Sequence, residues 1–321
     1  MHQDWIRHEH AKAWSVLTRE LALCDDTEEF YDEEDLLEEL REPGMVPEKD
    51  TLGLWDNGTM IGYGQLRLAL GLRDGRGRVT IGGGISPAFR RRGYGSEIMQ
   101  ILEDRAARKM AERHPKVDYT IDMWGNAPGH SAGALAVSRG YEPARYFEDM
   151  MVGPDGFTPV GRPAAKPLEL NLVSYSPEVA EPVRILDNEA FADHWGSAPK
   201  SREEWAAMTG ARSFRNKFSR VLLEVPGNGE APRPLCYVLS GQWVANELYI
   251  SRVGTARSAR GRGYAAWALS EVVASAFSAG FAKVDLSVDA QSPTGASGLY
   301  KRLGFDVVRE GIVFRKTCLA S

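Results

Sequence analysis

The chain has 321 residues, 43% of them hydrophobic and 26% charged, which is long and apolar enough for two cores rather than one. A net charge of −5 without a long basic run excludes the usual nucleic-acid binders. Cys24, Cys236 and Cys318 stand far apart with no CxxC pair, and no run has the length of a membrane span or a signal core, so a reducing, cytoplasmic protein with no metal and no membrane partner is expected.

In chain order, the first half opens with an acidic stretch from Asp25 to Glu39, set around Phe30, Tyr31, Leu36 and Leu37, that reads as amphipathic helix with a solvated acidic face. A strand over 78–85 runs into a turn, Arg90-Arg91-Arg92-Gly93-Tyr94-Gly95, and then into a helix carrying Ile98, Leu102, Ala106 and Met110 at helical spacing. A strand over 119–123 and a short helix ending at Arg139-Gly140-Tyr141 complete the half. Residues 153–167 hold four prolines and little apolar periodicity, which is a linker composition.

The second half repeats the order. A strand over 247–254 enters Arg260-Gly261-Arg262-Gly263-Tyr264-Ala265, and the next helix presents Leu269, Val272, Val273 and Ala276 on one face and stops at Gly280. In the strand over 283–288 Val284, Leu286 and Val288 alternate with polar residues, and a last short helix ends at Leu303-Gly304-Phe305. The division drawn from these features is 1–152, a linker over 153–167, and 168–321, two α/β units of one kind.

Both turns suit an anion. Consecutive backbone N–H groups in a Gly-containing turn converge on one point, and the following helix end adds partial positive charge. Gly263 lets a pyrophosphate approach, small Ala265 avoids a clash, and Arg260 adds charge; Arg91, Arg92 and Arg262 are further candidates for a phosphate contact and equally candidates for plain solvation. The pattern RxxGx[GA] between strand and helix, present twice, resembles the GCN5-related N-acetyltransferase (GNAT) superfamily. The resemblance implies two tandem domains, each an α/β (α+β) fold with a mixed, mostly antiparallel, splayed sheet flanked by helices. It implies acetyl-CoA as acyl donor, with a structural CoA in the first domain as a further expectation.

In the second half, Ser292 to Phe305 is similar to the superfamily's NPxxAxxLYxxxGF stretch, with Ser292 in place of Asn; the resemblance makes Ser292 a cofactor-site candidate, and it is expected to cap the helix and Pro293 to open it. Tyr300 falls where the family places a group beside the thioester sulfur, which implies a general acid. An ammonium must lose a proton before it attacks, and Glu247, in a Glu-x-Tyr-x-x-x-Val pattern similar to mycothiol synthase (a tandem GNAT protein active in its C-terminal domain), is implied as the base, directly or through water. An exposed strand-edge carboxylate reads equally well. Backbone groups at Val253, Gly254 and Thr255 would hold pantetheine as an added strand. In the first half the corresponding positions are Gly77 and Ala136, so that domain is expected to bind CoA without transferring the acetyl group. Asp193 and Trp195 are candidates for the acceptor site, and equally a helix cap and a hydrophobic anchor.

The expectation is an N-acetyltransferase acting by direct attack of a small-molecule amine, the C-terminal domain being active and the chain a monomer with its two domains paired. Mycothiol synthase proper, a peptide N-terminal acetyltransferase and a non-enzymatic acyl-CoA-binding regulatory protein remain as alternatives.

Overall fold

Helical spacing in this chain becomes helix where one face finds a sheet to cover, and alternation becomes strand where one face is buried. The computed structural model describes residues 1–125, 130–163, 169–227, 229–292 and 295–320. In the first half these residues form β1 (His2–Asp4), α1 (Ala11–Asp25), α2 (Glu33–Glu39), α3 (Pro47–Asp50), β2 (Thr51–Asp56), β3 (Thr59–Leu68), β4 (Gly77–Ile85), α4 (Tyr94–Arg113), β5 (Tyr119–Gly125), α5 (Ser131–Ser138) and β6 (Glu142–Val152). The second half contributes β7 (Glu169–Ser174), α6 (Pro177–Ala190), α7 (Arg202–Gly210), β8 (Arg220–Val225), β9 (Arg233–Gly241), β10 (Glu247–Thr255), α8 (Tyr264–Ser278), β11 (Lys283–Asp289), α9 (Ala296–Arg302) and β12 (Asp306–Cys318).

Compactness divides the chain into residues 1–146 with 311–321, and residues 147–310. In the first unit the strand order is β1-β2-β3-β4-β5-β12, and in the second it is β6-β11-β10-β9-β8-β7. All neighbours are antiparallel except β4 with β5 and β10 with β11. The contiguous division at 152 and 168 therefore differs from the observed one: residues 147–152 complete the second unit's sheet, and 311–318 complete the first unit's. Alternation in a strand says which face is buried, but not which sheet the strand joins.

The expected linker also differs. Over its described residues, 153–163, it belongs to the second unit, with Phe157 and Val160 packed on the core, Phe157 edge-on to Phe277 at 5.7 Å, and the Val160 N–H donating to Ser270 Oγ at 2.8 Å. Residues 164–167 of that segment lie outside the described residues. Composition registers the prolines but not the two apolar anchors between them. The acidic stretch behaves as read: Asp32 and Asp35 form a capping box at the start of α2, and Leu36 and Leu40 are buried while the other acidic side chains stay at or near the surface.

The second unit's core is built on α8, where Leu269, Val272, Val273 and Ala276 are all fully buried against the sheet. Each such Leu or Val taken from water contributes about 1.5–3 kcal/mol. That packing fixes the start of α8, and with it the turn that precedes it.

Candidate active site

The two turns have one backbone. Arg91 and Gly93 in the first unit, and Gly261 and Gly263 in the second, all have positive φ, +63°, +90°, +73° and +79°. Gly93 and Gly263 are the N-cap residues of α4 and α8, and each accepts the first helical hydrogen bond at 3.1 Å, from Glu97 N–H and Trp267 N–H. Around Gly263 an added Cβ would meet nothing closer than Pro163 Cβ at 3.8 Å, so glycine is required there by the left-handed backbone and not by crowding. Among the described residues, the N–H groups of Gly261 to Ala265 donate to no backbone carbonyl. Donors converging at a helix start are a fit for a pyrophosphate.

The motif arginines do something else. Arg260 Nη2 donates to the Ala190 carbonyl at the end of α6 at 3.1 Å. Arg90 grips Asp25 at the end of α1 through two bonds of 2.7 Å and donates from Nε to the Ile85 carbonyl at 2.9 Å. In each unit this residue ties the turn to the end of the first long helix. Arg262 lines a shallow hollow beside the turn with Arg233, Ser258 and Glu224.

Ahead of each turn the sheet opens. β10 and β11 pair only from Glu247↔Lys283 to Tyr249↔Asp285, and β4 and β5 from Gly77↔Tyr119 to Ile81↔Met123. In β10 a register shift between Ile250 and Arg252 places a bulge at Ser251, where the strand parts from β11. Beyond it, the edge of Arg252 to Thr255 not used by β9 is open, and it includes the positions expected to hold pantetheine, Val253, Gly254 and Thr255. The opened strand is braced from behind: Asp187 on α6 accepts from Arg252 Nε at 2.6 Å, from Arg252 Nη2 at 3.0 Å and from the Tyr237 hydroxyl, while Phe191 lies flat on the Arg252 guanidinium at 4.1 Å. Burial pushes the Tyr237 phenol far above its usual range, so it stays a donor to Asp187.

Tyr300, on α9, is only 8% exposed, edge-on to Phe305 at 6.0 Å, and its hydroxyl makes no hydrogen bond among the described residues. Burial pushes its pKa up to about 12. It is therefore protonated at neutral pH, and its proton is uncommitted. Glu247 stands at the closed end of the split, with Lys283 Nζ at 3.2 Å from Oε2.

The two residues lie on opposite sheet faces. Pairing of Tyr249 with Gly241 puts Glu247 and Tyr249 on the face of Tyr237 and α6. Glu148 of β6, opposite Val288, lies on the other face, where it accepts a hydrogen bond from Ser297 of α9.

Three sequence expectations are refined here, and one feature was not foreseen. The cap of α9 is Gly295, at φ +66°, and not Ser292, whose N–H instead closes a turn onto the Asp289 carbonyl; Pro293 lies outside the described residues. Asp193 pairs with Arg257 at 2.5 Å, just ahead of the second glycine turn, while Trp195 meets Phe147 of β6 edge-on at 6.5 Å, so these two candidates point to different places. Arg260 binds backbone, as described above. The Asp187–Arg252–Tyr237 brace was missed, because its members are 50 and 65 residues apart and carry no local signature.

Of the first unit's two correspondences, that of Ala136 with Tyr300 holds in three dimensions and that of Gly77 with Glu247 shifts by one residue. Tyr141 N–H bonds the Ala136 carbonyl as Phe305 N–H bonds that of Tyr300. Gly77 begins the parallel pairing as Glu247 does, but it faces Met110 of α4 whereas Glu247 lies on the α6 face; β4 lacks the bulge at Ser251, so Arg78, and not Gly77, stands on the equivalent face. Ala136 is fully buried, and Arg78, on the face equivalent to that of Glu247, is a cation paired with Asp122 at 2.7 Å, so no carboxylate of β4 stands there.

No curated protein matches the sequence. Among solved structures, the chain is similar to a GCN5-related N-acetyltransferase from Sphaerobacter thermophilus (24% identity, TM-score 0.74, covering 98% of this chain and 95% of that one). It is also similar to a tandem GNAT protein from the clavulanic acid biosynthesis pathway (18%, 0.66, 98% of each chain) and to a GCN5-related N-acetyltransferase from Anabaena variabilis (14%, 0.56, 98% and 72%). The acetyltransferase (GNAT) family model matches twice, over residues 13–126 and 184–305, regions that contain both glycine turns and both split strand pairs, and the chain belongs to that family.

Proposed function

We propose that the second unit transfers an acetyl group from acetyl-CoA to the amine of a small molecule by direct attack, and that the first unit holds CoA without chemistry. The observation that carries this reading is the uncommitted, protonated Tyr300 hydroxyl on the helix beside the split strands, with a buried alanine at its counterpart in the first unit.

The amine enters on the α6 face. Its nitrogen forms the C–N bond as the C–S bond breaks, and the departing sulfur takes the Tyr300 proton on the α9 face, Tyr300 being reprotonated from solvent. The amine's surplus proton passes to Glu247. From Glu247 to the bulge at Ser251 is four residues, about 13 Å of strand, so that transfer runs through water. Cys236, the second unit's one cysteine, is buried with its thiol pushed up to about 12, which disfavours a cysteine-bound acyl intermediate.

Glu247→Gln is expected to slow turnover chiefly below the amine's own pKa, near 10 for an alkylamine, and to have little effect above it. A pH–rate profile parallel to wild type would remove Glu247 from the mechanism. For the first unit, Gly93→Asp is expected to remove one of two CoA equivalents in calorimetry and part of the thermal shift that CoA produces, with turnover per molecule little changed. A wild-type stoichiometry of one would make the first turn an empty remnant.

A further inference from the structure

We infer that Glu148, a residue of the first sequence repeat, is a positioning residue for Tyr300. The inference rests on the catalytic reading of the second unit and adds a group that this reading does not use.

α9 has only seven residues, and its N-cap, Gly295, offers no side-chain cap. A helix this short does not hold itself in place. What fixes it comes from residues that precede the second repeat. Ser297 Oγ donates to Glu148 Oε2 at 2.7 Å, and Thr158 N–H donates to the Leu303 carbonyl at 3.0 Å, just past the helix end. Ser297 stands three residues before Tyr300, so the two side chains share one side of the helix. Glu148 is itself held in β6 opposite Val288, with Met150 and Val152 of the same strand face buried in the core. The bond thus links the helix that carries the proposed acid to a fixed point of the sheet.

The first unit supplies an internal comparison. By sheet face, Val288 corresponds to the core-facing Met123 and Gly125, whose partners on β12 are Phe314 and Ile312, and counted from Ala136, Ser297 corresponds to Gly133. Where the tyrosine is absent, both members of the Glu–Ser bond are absent too. A bond needed only to close the fold has no reason to follow the tyrosine.

The experiment uses the full chain and reads free thiol release from acetyl-CoA, with the best acceptor of an amine panel, or water where no amine is better. Glu148→Ala and Ser297→Ala are expected to lower kcat by roughly 10- to 100-fold, the scale of a reacting group displaced by about an ångström. KM for both substrates and the melting temperature should stay close to wild type. The double variant should be no worse than either single one, and Glu148→Gln, whose amide oxygen still accepts from Ser297, should recover most of the rate. Unchanged kcat in Ser297→Ala, a loss in Glu148→Gln equal to that in Glu148→Ala, or a fall in rate that follows melting temperature would each overturn the assignment. A wild-type rate in Tyr300→Phe would instead overturn the catalytic reading beneath it, whereas an impaired Tyr300→Phe beside a normal Ser297→Ala sinks this inference alone.

Discussion

Tyr300→Phe is expected to lower turnover by roughly 10²- to 10⁴-fold, the range for a lost general acid or base, with acetyl-CoA affinity nearly unchanged. The ring packs against Phe305 and the core, contacts that phenylalanine keeps, so the substitution removes a proton and not a prop. The pH profile separates this role from a structural one. With its pKa pushed up to about 12 by burial, the hydroxyl remains protonated through neutral and mildly alkaline pH, so wild-type turnover should show no alkaline fall from this group until pH nears that value. The variant should be slow at every pH. Near-normal turnover, with thiol release intact across the range, would mean that the sulfur leaves without help from this residue.

Gly263→Asp should have the largest effect on cofactor binding. The position has φ +79° and open space around it, so the fold itself does not exclude a side chain, although the backbone penalises one. An aspartate there sets a carboxylate against the converging N–H groups of 261–265 and the start of α8, where an anion is meant to lie. Acetyl-CoA binding by the second unit should fall below calorimetric detection, with circular dichroism unchanged. Gly263→Ala keeps the backbone strain but adds no charge and should weaken binding less. Equal, undiminished binding in a folded Asp variant would remove the cofactor from this turn.

The parts legible in the sequence were those set by neighbours along the chain. The two turns could be read because a positive-φ turn followed by a helix demands particular residues within six positions, and Tyr300 because its helix ends at a Gly-Phe pair. The blank position of the first half at Ala136 could be read for the same reason, whereas the bulge at Ser251, which β4 lacks, moves the counterpart of Glu247 from Gly77 to Arg78. What remained hidden depends on contacts across the fold. Residues 147–152 have the alternation of any strand, and nothing in them states that they complete the sheet of the second unit. Arg252 reads as a polar strand residue until Asp187 and Tyr237 are brought beside it. Ser292 was the better cap by side-chain chemistry, yet the helix starts later, after Gly295, and the Ser292 N–H closes a turn onto the Asp289 carbonyl instead. Glu148 has no motif around it, and its meaning comes from Ser297, 149 residues away.

The claim on which the rest depends is that this chain moves an acetyl group to an amine, and that its second unit does so. Incubating the full chain with acetyl-CoA and a panel of small amines, with mass spectrometry of the acceptors and parallel measurement of free thiol, tests it directly. The account predicts one or more amines heavier by an acetyl group, thiol released in equal amount, and both signals lost together in Tyr300→Phe. Acetyl-CoA bound tightly with no acceptor modified and no thiol released, or product formed equally well by Tyr300→Phe, would contradict it.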